Sequence, residues 1–330
     1  MPVRKPFSKD IILLENVGQV VDNIVEQLRE DVLLRFKRHG AVVGISGGID
    51  SSVCMALAAK AFGSERVLGI MLPEKDSSPD SEMLARELAE RFGVKAIKEE
   101  ITSALSGFGC YERRDEAVKR VFPEYDPKSW KMKIGIRQSG LFNNIPPIFY
   151  LTVIDPAGNS KDKILPANEY LQIVAASNFK QRTRMSMLYY HAEALHYCVV
   201  GTPNKHEQEQ GFFVKYGDGA GDVMPIGNLY KTQVYQLAEF LGVPKGIIDR
   251  TPTTDTYSAE QTQEEFFYQL PFHLMDRFWY GFENGYPSAE VAEVMGESTE
   301  RVEALFRNFD RKRKTTEYLR MPPIRDYFQG

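Results

Sequence analysis

Apolar residues Val20, Val21, Ile24, Val25, Leu28, Val32 and Leu33 recur at helical spacing with polar residues between them, which predicts an amphipathic helix across residues 17–38. A short apolar run at 41–45 follows, bounded by turn formers, and then a glycine loop and an Ala-, Leu- and Met-rich stretch at 53–62. Strand, loop and helix is the reading that run lengths and flanking glycines favour. Residues 67–72 repeat the strand pattern. Residues 79–92 place Met83, Leu84, Leu88 and Phe92 on one helical face, and residues 95–101 supply a third strand. Alternating strands and helices imply an α/β fold: a doubly wound parallel sheet with helices on both faces and ligands beyond the carboxyl ends of its strands.

Between residues 103 and 166 this regularity gives way to Gly, Pro, Asn and aromatic clusters, such as the one at 142–147, with one strand-like run at 148–154. An insertion of mixed structure is expected there, its aromatic content favouring order, with a lid, an oligomer contact and a partner-docking surface as its possible roles. The α/β pattern resumes with a helix at 178–196, a strand at 197–201, a loop to Pro225 and a helix at 231–241. A polar loop runs through Gln263. Helical stretches at 264–284, 289–295 and 299–313 read as a C-terminal cap (264–330) on one domain spanning residues 1–330 rather than as a second domain.

At 330 residues the chain can bury a large core without disulfide or metal staples. With 43% hydrophobic and 26% charged residues and a formal charge of -4, it offers no broad positive field for nucleic acid. Cys54, Cys110 and Cys198 are far apart and in no paired spacing, which argues against a disulfide framework or zinc ribbon and fits a reducing cytoplasm. Near the N-terminus only residues 11–14 are continuously apolar, too short a run for a signal peptide or membrane span. No membrane association is expected.

The chemistry begins at the loop Ser46-Gly47-Gly48-Ile49-Asp50-Ser51-Ser52, which follows the first strand. Backbone N–H groups and three hydroxyls there can converge on phosphate oxygens at a helix N-terminus. The loop lacks the Gly-Lys-Ser/Thr ending that places a lysine on a terminal phosphate, so γ-phosphoryl transfer is disfavoured. Two glycines alone would as readily be an ordinary turn. Glu207 could equally be a solvated loop carboxylate, Lys231 an exposed lysine, and residues 217–222 a plain flexible turn. Lys231 opens its helix, where the dipole disfavours a cation unless an anion is near, and a bound phosphate would satisfy that need.

The full string Ser-Gly-Gly-Ile-Asp-Ser resembles the signature of the N-type ATP pyrophosphatases, which cleave ATP to AMP and pyrophosphate. Residues 178–185 (NFKQRTRM), 201–207 (GTPNKHE) and 215–222 (KYGDGAGD) follow NAD synthetases in order, so the resemblance spans about 40–100 and 170–325. It implies an ammonia-dependent enzyme in which ATP meets Gly44, Ile45, Ser46, Gly47, Gly48, Ile49, Asp50, Ser51, Thr202, Lys231 and Thr253. Asp50 and Glu207 would hold magnesium, a hard cation suited to carboxylates and phosphates. Arg182, Lys215 and Asp222 would hold deamido-NAD, with Asp50 and Lys215 in catalytic roles.

In the chemistry so implied, the substrate carboxylate attacks the α-phosphorus, an acyl-adenylate forms, and ammonia displaces AMP. The family also implies a homodimer with the substrate site across its interface. Only about 45 residues precede the ATP loop, no room for a glutaminase domain, so free ammonia or a separate glutaminase chain is expected to supply nitrogen.

At Tyr318-Leu319 the chain departs from the His-Lys pair of many ammonia-dependent members, and Lys314 and Arg320 are the nearby cations. That departure keeps a different carboxylic acid open as the substrate. A silent nucleotide-binding module is a further alternative, against which Asp50, Glu207 and Lys231 speak. His39, His191, His196, His206 and His273 show no metal-ligand clustering, and the run 311–314 (RKRK) reads as a solvated helix end.

Overall fold

The computed structural model describes residues 4–137, 148–253, 257–259, 262–263 and 267–325. Helix α1 (Val17–Arg29) runs on through a π-helical turn, Glu30–Arg35, into β1 (Ala41–Gly44), α2 (Ile49–Phe62), β2 (Val67–Met71), α3 (Pro79–Phe92) and β3 (Lys95–Lys98). Helices α4 (Thr102–Gly107) and α5 (Cys110–Val121) lead to strands β4 (Lys131–Arg137), β5 (Ile148–Ile154) and β6 (Ser160–Ile164). Next come α6 (Ala167–Leu195), β7 (Cys198–Val200), α7 (Lys205–Gln210), α8 (Lys231–Leu241) and α9 (Lys245–Ile248). Helices α10 (Phe272–Glu283), α11 (Ser288–Met295), α12 (Thr299–Thr315) and α13 (Glu317–Arg320) close the chain.

Four strands form a parallel sheet in the order β3-β2-β1-β7, in register Ala41 with Val67 and with Cys198, and Leu68 with Lys95. Period-two alternation divides its side chains cleanly. Ala41, Val43, Val67, Met71, Cys198 and Val200 face one core with α1, α2 and α8, while Val42, Leu68, Ile70 and Val199 face a second with α6 and α4. Being covered on both faces explains why β1, β2 and β7 read as unbroken apolar runs, whereas β3 (KAIK) is partly exposed at the sheet edge. Strand order reverses between β1 and β7, so a crevice opens beyond their carboxyl ends.

The described residues of 102–164, where the pattern degrades, fold into two helices and an antiparallel sheet ordered β4-β5-β6. They share a core of their own, including Phe122, Tyr125, Met132, Ile134, Leu151 and Val153. The cluster at 142–147 lies outside the described residues. Helix α6 starts at Ala167 rather than at 178. Its apolar stripe is split between two cores, Ile173 packing on the segment's sheet and Met185, Leu188 and Ala192 on the main one, so no single period marks its first half. Of the helix expected at 264–284, Phe272–Glu283 is helical and 264–266 lie outside the described residues. Aromatic residues of α10 and α12, among them Phe278, Trp279 and Phe309, build a separate core.

A buried ion cluster ties α5 and α6 to the turn after β2. Lys180 Nζ donates to Glu74 (2.9 Å) and Asp76 (2.7 Å), Arg114 donates to Asp76 (2.5 Å) and Asp115 (2.8 Å), and the Tyr111 hydroxyl donates to Glu74 (2.7 Å). Lys180 and Arg114 outweigh the burial that would raise the Asp76 carboxyl, and hold it below its ordinary range.

All three cysteines are free and buried. Burial raises each thiol, Cys198 to about 12 with help from Asp222, and thiolates are the reactive form. The native protein at pH 8 is therefore expected to release no chromophore from an aromatic disulfide reagent on the minute scale, and three equivalents per chain once denatured. A fast native equivalent would show that one of these sites opens. No helix among the described residues is long and apolar enough to cross a membrane.

Candidate active site

The glycine loop lies in the crevice beyond β1. Gly47 turns it with φ +72°, and a Cβ there would stand 2.6 Å from the Ser81 carbonyl oxygen, so only glycine fits without displacement. Gly48 precedes α2, and the Ser51 and Ser52 hydroxyls donate back to its carbonyl oxygen at 3.0 and 2.7 Å. The Ser46 backbone N–H donates to Ser51 Oγ at 3.3 Å, which closes the loop on itself. Ser46 is exposed, at the head of an almost wholly buried 14-residue helix. An anion there meets backbone amides and the positive end of the dipole.

Segments distant in sequence complete the floor. Lys231, fully buried at the start of α8, forms an ion pair with Asp50. Burial works against its charge, yet Asp50 and Glu207 outweigh it and raise its pKa. The anion that offsets a cation at this helix start is thus first of all Asp50. Asn204 Nδ2 donates to Asp50 Oδ1 at 3.3 Å, and Asn204 also caps α7, accepting from the Glu207 N–H at 3.2 Å while its own N–H donates to Glu207 Oε2 at 2.9 Å. This reciprocal cap fixes the Glu207 carboxylate. Burial, and then the facing charge of Asp50, push Glu207 up to about 8.

Two acidic groups and one lysine thus face an anion-ready loop, an arrangement short of positive charge. Among the described residues no group of three or more His, Cys, Asp or Glu is placed to hold a metal ion. Two carboxylates suffice for magnesium when substrate phosphates and water supply its other ligands, so Asp50 and Glu207 fit that ion.

A cavity of about 1200 Å³ opens from this floor. Gly44, Ile45, Ser46, Gly48, Ile49, Asp50, Ser51, Thr202, Glu207 and Thr253 line it, whereas Gly47 forms the turn behind and Lys231 lies beneath. Arg182, Lys215 and Asp222 lie outside its lining. Arg182 is exposed and donates to the Lys215 carbonyl oxygen at 3.1 Å, and Lys215 Nζ donates to the Tyr318 and Met321 carbonyl oxygens, both at 2.8 Å. Asp222 accepts from the Val199 N–H (2.8 Å) and the Tyr189 hydroxyl (3.2 Å).

Other lining residues escaped the sequence reading. Gln181, Arg184, Met185 and Leu188 face the cavity from α6, one helical face at i, i+3, i+4 and i+7. Two residues from Arg184, Arg182 lies about 200° around that helix and cannot share the face. The spacing held this signal. Arg311 and Lys312 also line the cavity, so half of the basic run is not a solvated helix end. Lys312 Nζ donates to the Phe267 carbonyl oxygen (3.2 Å), and burial, then Arg311, push its pKa down to about 8. Ile136 and Phe149 bring the antiparallel sheet into the same wall, and Tyr318 and Leu319 line it from the C-terminal side.

A parallel doubly wound sheet, a Ser-Gly-Gly-Ile-Asp-Ser loop at its switch point and a buried lysine below define the class of N-type ATP pyrophosphatase folds. The NAD synthase family profile matches residues 20–122 and 151–323. A protein of Mesorhizobium japonicum described as NH(3)-dependent NAD(+) synthetase is 50% identical over 304 residues, 92% of this chain and 95% of that one. One of Rhizobium rhizogenes with the same description is 44% identical over 324 residues, covering 98% and 97%. Among solved structures, an NMN synthetase from Francisella tularensis superposes with a TM-score of 0.63 at 22% identity, over 95% of this chain and 99% of that one, a likeness of fold. The chain belongs to the NAD synthase family, ATP-using enzymes that form a carbon–nitrogen bond.

Proposed function

We propose that this chain is an ammonia-dependent NAD synthetase, converting deamido-NAD, ATP and ammonia to NAD, AMP and pyrophosphate. The observation that carries the reading is the 50% identity, over 92% of the chain, to a relative described by that activity. The site's chemistry supports it. The amides and hydroxyls of residues 46–51 receive the departing pyrophosphate, Thr202 and Thr253 contact ATP from the cavity wall, and Lys231 stabilises charge developing in the transition state. Asp50 and Glu207 hold magnesium, which when bound neutralises phosphate charge. The enzyme's part is positioning and electrostatics, so no nucleophilic side chain is needed.

Arg182, Lys215 and Asp222 hold the dinucleotide in this reading, Lys215 close to the reacting carboxylate. In this reading the substrate reaches from the cavity to these residues across a homodimer interface. Ammonia arrives free or from a separate glutaminase chain. Three free, buried cysteines agree with a cytoplasmic location.

The test is AMP release by purified protein with ATP, magnesium and ammonium chloride, with deamido-NAD, nicotinic acid mononucleotide or neither. AMP and NAD should appear in equal amounts and only with the dinucleotide. AMP release indifferent to deamido-NAD, or faster with the mononucleotide, would overturn the assignment and return the site to another carboxylic acid.

A further inference from the structure

His206 and Asp276 take no part in the chemistry above, yet both are wholly buried beside it. His206 donates from Nε2 to Asp276 Oδ1 at 2.6 Å, and its Nδ1 accepts from Gln210 Nε2 at 3.2 Å. The second oxygen of Asp276 accepts from the backbone N–H of Thr232 at 2.7 Å. Burial alone would raise the Asp276 carboxyl, but these donors prevail and hold it below its ordinary range. Rings of Tyr230, Trp279 and Tyr268 stand 5.7, 5.8 and 6.1 Å from the imidazole, which excludes water.

What matters is which elements this one carboxylate joins. His206 is the neighbour of Glu207 on α7, and Thr232 is the neighbour of Lys231 at the start of α8. Asp276 comes from α10, in the C-terminal aromatic core. A single side chain therefore grips both short segments that aim Glu207 and Lys231 at Asp50. Helix α7 is only six residues long and depends on outside contacts for its orientation. At the start of α8 the Asp276 charge satisfies a free backbone donor and favours the helix dipole.

We propose that His206 and Asp276 are positioning residues for the magnesium–ATP site, fixing from the C-terminal helices the mutual geometry of Glu207, Lys231 and Asp50. The inference rests on the reading of Asp50 and Glu207 as the magnesium-holding pair. Supporting shells of this kind, when removed, cost about 10–100-fold in metal affinity or activity.

Trp279 lies in contact with the imidazole, and the chain's other tryptophan is Trp130. In a Trp130→Phe background, magnesium titrations in the presence of ATP can be followed by Trp279 fluorescence, beside steady-state kinetics. Asp276→Asn and His206→Leu should each shift the magnesium midpoint upward by about tenfold and lower kcat by about 10–100-fold, with the KM for deamido-NAD within about twofold of wild type. His206→Gln, whose amide can still donate to Asp276, should recover most of both losses. Should Asp276→Asn fail to fold, the His206→Leu and His206→Gln pair decides alone. A thermal midpoint that falls while magnesium midpoint and kcat stay at wild-type values would overturn the proposal, leaving the pair as scaffolding. A wild-type protein with no magnesium dependence would instead overturn the reading of Asp50 and Glu207, and this inference with it.

Discussion

Lys231→Met is expected to lower kcat/KM by about 10³-fold, the upper end of what a single preorganised charge contributes to a transition state. No other lysine or arginine forms an ion pair with Asp50 among the described residues, and Lys231 also offsets Glu207. Its removal takes away the cation paired with Asp50 and leaves that carboxylate facing Glu207. Breaking a buried pair costs about 3–5 kcal/mol, and part of that returns if one carboxylate takes up a proton. Glu207, pushed up to about 8 by burial and the charge of Asp50, is largely protonated at neutral pH before metal binds, which limits the repulsion left behind. Steady-state kinetics together with urea unfolding check both effects. Activity within tenfold of wild type would show that Lys231 is only a structural counter-charge.

Gly47→Ala is expected to raise the KM for ATP by on the order of 10², the penalty that misplacing a positioned group by about 1 Å can carry. A left-handed backbone costs a residue with a Cβ about 1–2 kcal/mol. At Gly47 that Cβ would in addition meet the Ser81 carbonyl oxygen, backbone that cannot swing aside. Gly285 provides the control, with φ +64° and nothing within 4 Å of the added carbon. Gly285→Ala should pay the conformational cost alone and keep ATP binding. Equal ATP affinities in the two variants would mean that the loop tolerates the shift and that its turn is not what shapes the phosphate site.

Strand and helix periodicity foretold the main sheet because its elements are short, buried on one face or both and punctuated by glycine. The loop at 46–52 was legible for the same reason, its residues being adjacent in sequence. Lys231 and Glu207 had no such signal of their own. Their environment is made by Asp50 across the crevice, 181 and 157 positions away, and from sequence alone each looked as much like an exposed charge. The first half of α6 was missed because its apolar residues serve two cores. Arg184 went unnamed because residues 178–185 were weighed as a string rather than as a helix face. His206 was read only as standing outside any metal-ligand cluster, and its partner Asp276 could not be named because it belongs to a helix that shares no local pattern with it.

The buried ion cluster has a bearing on how the cavity changes during turnover. Phe149 and Ile136 belong to the antiparallel sheet, whose neighbouring helix α5 carries Arg114, and the turn holding Glu74 and Asp76 is itself part of the cavity wall. Swinging that sheet outward with α5 would strip Arg114 from Asp76 in a dry interior, at a cost of several kcal/mol for each unpaired charge. That cost disfavours such a hinge. The described part of this wall is thus braced by buried charge as well as by packing, so selectivity arising from Ile136 and Phe149 rests on a template set when the chain folds.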